Sequence, residues 1–86
     1  MFPRRIPSEE QRIIFGSIVR GARKSHGLTQ ERLAEQMNCS AAWISQVERG
    51  ISNLNYIDTL RLLSILQLDV DFILEALGIN VPVHTS

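Results

Sequence analysis

The stretch from Leu28 to Gly50, LTQERLAEQMNCSAAWISQVERG, divides into two short segments around a break at Asn38-Cys39. The first opens at Thr29 and places Leu33, Ala34 and Met37 three and four residues apart, which lines them up along one helical face. The second begins at Ser40, whose hydroxyl can accept a first-turn N–H and so start a helix. It carries Ile44 and Val47 and closes at Gly50, a residue able to take a positive φ at a helix end. Two helices of about eight residues joined so tightly cannot lie flat against each other. They must cross at an angle, leaving one face of the second helix outward.

Working outward, Ser8-Glu9-Glu10-Gln11 fits a capping box and predicts a helix from about Glu9 to Ser25. Its apolar seam is Phe15, Ile18, Val19 and Ala22, and Gly27 stops it. Gly16 and Gly21 are poor helix residues that can admit a neighbouring helix closely. His26, at the end of this helix, is expected to meet the free carbonyls there. Downstream, Ile51 to Asn55 reads as a loop. Asn55 caps a fourth helix over about Tyr56 to Gln67, with Leu60, Leu63, Ile65 and Leu66 as its apolar surface. Asp69 caps a fifth over about Val70 to Leu77, with Phe72, Ile73, Leu74 and Leu77 apolar, and Gly78 ends it. The organisation is a flexible arm at 1–7, one domain at 8–78 and a tail at 79–86. The fold class is all-α, a compact five-helix bundle in which helices 1, 4 and 5 back the central pair.

The 86 residues suit one small domain, and a hydrophobic fraction of 44% supplies its core. No apolar run is long enough to span a bilayer, and the start of the chain lacks a signal-peptide core, so a cytoplasmic location is expected. The single Cys39 cannot form an internal disulfide, which fits a reducing compartment. A small, partly buried thiol is the reading for it. No Cys/His cluster has metal-ligand spacing, and no nucleophile–base pair or paired carboxylates stand out. Neither an enzyme nor a cofactor or metal is expected. Net charge is zero, but it is unevenly spread. Residues 1–24 hold six basic against two acidic side chains, residues 25–50 two against three, and residues 51–86 one against four. A basic start and an acidic end suit a molecule with one pole toward nucleic acid.

A tight two-helix unit of this kind is the helix-turn-helix motif, which lays its second helix in the DNA major groove. The residues go further. Leu28-Thr29-Gln30-Glu31, Leu33-Ala34, Ser40, Ile44-Ser45-Gln46 and Val47-Glu48-Arg49-Gly50 together resemble the lambda-repressor-like, Cro/XRE-type helix-turn-helix family. Phe15-Gly16, Arg20 and Arg23 upstream, and Leu66 to Leu74 downstream, extend the resemblance over most of Ser8 to Gly78. Two positions depart from it. Asn38 stands where the family usually has a turn glycine, and Asn tolerates the left-handed region better than most residues. Asn55 lies near a position where the family often has proline.

The resemblance implies a sequence-specific DNA-binding transcriptional regulator, a homodimer on a near-palindromic operator. The alternative is a protein-interaction adaptor or antirepressor that keeps the fold without binding DNA. The recognition helix would offer Ser40, Ala41, Ala42, Trp43, Ser45 and Gln46 to the groove, with Gln46 carrying most of the polar readout. Gln30 is implied to bond a phosphate. Arg49 and Asn53 are each read either as phosphate contacts or as a solvated charge and a turn former. Trp43 either meets the backbone or closes the side of the core. Arg23 and Glu48 are implied to form a structural ion pair. Surplus apolar surface at Phe72, Ile73, Leu77, Ile79 and Val81 is expected to form the dimer interface. A restriction–modification controller, an antitoxin and a phage regulator all fit this plan, and a toxin or antirepressor is a possible protein partner.

Overall fold

Five short polar residues start the five helices. The computed structural model describes residues 8–79, and within them α1 spans Glu9–Ser25, α2 Gln30–Met37, α3 Ala41–Glu48, α4 Tyr56–Ile65 and α5 Val70–Ala76. Ser8, Thr29, Ser40, Asn55 and Asp69 each accept a backbone N–H of the first turn through the side chain. This satisfies a donor that the helix itself cannot pair. At Ser8 the box is reciprocal, since the Ser8 N–H also donates to Gln11 Oε1 at 3.1 Å. The all-α architecture stands as the sequence predicts. The arm at 1–7 and the tail beyond Ile79, Val81 included, lie outside the described residues.

The turn between α2 and α3 depends on Asn38, which adopts φ 56°, ψ 49°. That left-handed residue lets the Cys39 N–H reach back to Ala34 O at 2.9 Å and the Asn38 N–H to Glu35 O at 3.2 Å, closing the last carbonyls of α2. Gln67 does the same for α4 with φ 56°, where the Leu68 N–H bonds Leu63 O at 2.8 Å. Because Gln67 turns left-handed, α4 ends at Ile65 and not at Gln67. α5 likewise ends at Ala76, one residue before Leu77.

The core is Phe15 and Val19 from α1, Leu33, Ala34 and Met37 from α2, Ile44 and Val47 from α3, Leu62, Leu63 and Leu66 from α4 and its cap, and Ile73 from α5. Ile18 and Ala22 pack at its margin. Of the apolar surface expected on α4, Leu63 and Leu66 are buried and Ile65 packs against the core, whereas Leu60 lies outside. Leu62 is fully buried while Leu60 is half exposed, because two helical residues subtend about 200° and the two leucines point to opposite sides. Nearly every residue of α4 is apolar or small, so its sequence alone does not say which side faces in.

Candidate nucleic-acid interface

α3 is seated by its inner side and clamped at its end. Ile44 and Val47 are in the core, and the helix crosses α1 at Gly16. A Cβ at Gly16 would stand 2.3 Å from Val47 O and 2.7 Å from Glu48 O, so only a bare backbone permits this approach. The other helical glycine, Gly21, has nothing within 4 Å of its would-be Cβ, and the close approach expected there is absent.

The clamp is the ion pair that the family resemblance implies. Arg23 Nε donates to Glu48 Oε2 at 2.5 Å and Nη2 to Oε1 at 3.1 Å, with both side chains buried. Arg23 Nη1 donates to Leu28 O at 2.8 Å, fixing the α1–α2 corner as well. The Glu48 hydrogen bonds, outweighing the cost of burial, push the guanidinium pKa above its ordinary value, so Arg23 stays charged. Arg12 supplies a second hold on the C-terminal end of α3. Its Nε donates to Gly50 O at 3.1 Å. In the sequence Arg12 counts only as a charge, because a bond across 38 positions leaves no local pattern.

The proposed readout residues fall into two groups. Ser40, Ala42, Gln46, Arg49 and Asn53 are exposed. Ala41, Trp43 and Ser45 are half-buried, and Ala41 and Trp43 pack against the core. Of the alanine pair, then, only Ala42 stands fully outward. Trp43 shuts the side of the bundle with its apolar body. The Ser40 hydroxyl is engaged as the helix cap, accepting the Trp43 N–H at 3.1 Å. Arg49 lies back along its own helix, with Nε 3.4 Å from Ser45 O. Gln30 is half-buried at the start of α2, and its Nε2 donates to Glu48 Oε1 at 3.1 Å.

Three other expectations change. The His26 ring does not bond the carbonyls of α1. Those are taken by the N–H groups of His26, Gly27 and Leu28, and the His26 ring is left 2.8 Å from Leu66 O at the end of α4. Cys39 is exposed, since it follows the left-handed Asn38 on the outside of the turn. Local desolvation, with a smaller contribution from the Asp58 charge, raises its thiol pKa, which disfavours the reactive thiolate. Ile73 is only 5% exposed and belongs to the chain's own core, so it is not available to a partner. Phe72 and Ile79 are exposed and Leu77 is half-buried. Leu77 and Ile79 border an open apolar groove of about 740 Å³ between α1, α4 and α5, whose walls include Tyr56, Leu60 and Val70.

Among the described residues no cluster of three or more His, Cys, Asp or Glu could hold a metal ion, and no helix is long and apolar enough to cross a membrane. A family model described as a helix-turn-helix domain matches residues 14–75. Among solved structures, the restriction-modification controller protein C.AhdI from Aeromonas hydrophila is 28% identical, with a TM-score of 0.68 over 76% of this chain and 94% of that one. A hypothetical transcription factor, NHTF, from Neisseria is 25% identical, with a TM-score of 0.68 over 86% of this chain and 84% of that one. The clp gene regulator ClgR from C. glutamicum shares the fold at 24% identity, with a TM-score of 0.72 over 88% of this chain and 95% of that one. No curated protein matches the chain.

Proposed function

The chain belongs to the helix-turn-helix family of Cro/XRE-type transcriptional regulators, and from that premise we propose that it reads operator DNA through the outer side of α3 as a cytoplasmic homodimer. The observation that carries this reading is the placement of Gln46. It is exposed on a helix whose other side is fixed by Ile44, Val47 and the Arg23–Glu48 pair. A glutamine held on such a helix can bond adenine through two hydrogen bonds, worth about 1–3 kcal/mol of discrimination. Ala42 beside it offers a methyl to thymine. Ser40 and Ser45 line the same helix, Gln30 bonds a phosphate from the start of α2, and Arg49 and Asn53 reach the backbone beyond it.

So few polar groups on one unit make a weak reader. Two units on half-sites about one helical turn apart would restore affinity and specificity. Phe72, Leu77 and Ile79 supply the joining surface, together with the exposed Val70 of the same helix. The likeness to C.AhdI favours a controller-type role over an antitoxin or phage role.

Selection of bound sites from random duplexes tests the proposal. It should return a pseudo-palindrome, and Gln46→Ala should relax preference at one base pair in each half-site. Unchanged preference would remove Gln46 from the readout. Log K should also fall with log salt by about 0.9 per phosphate neutralised. Failure to bind any duplex at low salt would point instead to an adaptor, which the sparse Ala42 surface also suits.

A further inference from the structure

Glu48 is the meeting point of three helices. Its Oε1 accepts from Arg23 Nη2 on α1 and from Gln30 Nε2 on α2, each at 3.1 Å, while its Oε2 accepts from Arg23 Nε. Its side chain is 3% exposed. Gln30 is only half-buried, and among the described residues Glu48 is the hydrogen-bond partner of its side chain. A glutamine amide has two chemically distinct ends, an N–H pair and a carbonyl. Beside a carboxylate only the nitrogen end is tolerated, because the flipped amide would set oxygen against oxygen. Once one N–H is engaged by Glu48, the planar amide has a fixed orientation, and its second N–H has a fixed direction.

We propose that Glu48 is a positioning residue for DNA binding: held by Arg23, it orients the Gln30 amide so that the second N–H is ready for a backbone phosphate. This rests on the reading of Gln30 as a phosphate contact. Two physical points support it. An amide already ordered in the free protein does not have to be ordered on binding, a cost worth about two- to tenfold in affinity per side chain. A carboxylate this close to a phosphate site would repel the ligand if it were alone. The bidentate guanidinium of Arg23 neutralises it, so the pair orients Gln30 without contributing net charge.

The test needs no knowledge of the operator, since a phosphate contact is independent of sequence. Binding of the full chain to a fluorescein-labelled duplex of mixed sequence is measured at low salt by anisotropy. Gln30→Ala is made in the wild type and in the Arg23→Met/Glu48→Met background, where an apolar pair replaces the ion pair. Gln30→Ala should weaken binding about three- to tenfold in the wild type and less than about twofold in the paired background. An equal loss in both backgrounds overturns the positioning role while leaving the phosphate contact intact. No loss in the wild type overturns the phosphate contact, and the positioning role with it. If the paired background does not fold by circular dichroism, side-chain amide relaxation of the wild-type protein decides. The Gln30 NH2 should be as ordered as the backbone, whereas that of exposed Gln36 averages. A Gln30 amide as mobile as that of Gln36 overturns the proposal.

Discussion

The α1–α2–α3 half and the α4–α5 half of this molecule are built differently. In the first, a backbone crossing at Gly16, a buried ion pair and the Arg12 bond to Gly50 O hold α3 from three directions. In the second, the α4–α5 unit is tied to α1 by two side-chain bonds to terminal carbonyls, His26 to Leu66 O and Gln11 to Leu77 O. It leaves Tyr56, Leu60, Val70 and Phe72 substantially exposed. A reading head has to be stiff, because base discrimination depends on placing one amide to within a fraction of an ångström. An assembly face has to keep apolar surface uncovered until a partner arrives. One small core serves both needs by concentrating its polar bonds on one half and leaving most of its exposed hydrophobic area on the other.

The sharpest way to break this contrast is to uncouple the clamp. Arg23→Met strands a buried carboxylate and should cost about 3–5 kcal/mol in urea unfolding, whereas Arg23→Met/Glu48→Met should recover most of it. A single variant within about 1 kcal/mol of wild type would mean that water or another cation reaches Glu48. Next comes Gly16→Ala, where the added methyl meets backbone carbonyls that cannot step aside. The cost should be about 3 kcal/mol, with the loss seen as a lowered melting temperature. On the other half, Phe72→Asp should weaken self-association by about 2 kcal/mol in sedimentation while leaving unfolding of the monomer within about 0.5 kcal/mol. An unchanged association constant would move the dimer surface elsewhere. The smallest effect is Gly21→Ala. With open space around the new methyl, helix propensity alone should raise stability by up to about 1 kcal/mol.

Much of the first half was legible in the sequence because its signals are local. Ser8, Thr29 and Ser40 announce helix starts through bonds three residues long, as Asn55 and Asp69 do in the other half, and Asn38 marks a turn by its own backbone preference. The Arg23–Glu48 pair became legible only through family resemblance. Nothing in the spacing of two charges 25 positions apart would single it out. The ties at Arg12, Gln11 and His26 were not legible at all. They join side chains to carbonyls 38, 66 and 40 residues away, and every residue has a carbonyl. That Leu60 lies outside and Ile73 inside was hidden for a related reason. A short helix that is apolar on several sides fixes its rotation by packing, and periodicity cannot supply that.

The bond from Gln11 to Leu77 has a consequence for the molecule as material for engineering. One amide group receives the Ser8 N–H at its oxygen and gives its own N–H to Leu77 O, so the first and last helices leave the bundle side by side. A few glycines would bridge Ser8 and Ile79, and the chain could then be opened within residues 51–55. The rearranged polypeptide would carry new ends beside its reading helix while keeping all five helices, provided the cut spares the Asn55 cap of α4 and the core-packed Leu54. Covalent order and spatial order are thus separable here, and a payload fused at the new ends would sit at the DNA and not at the assembly face.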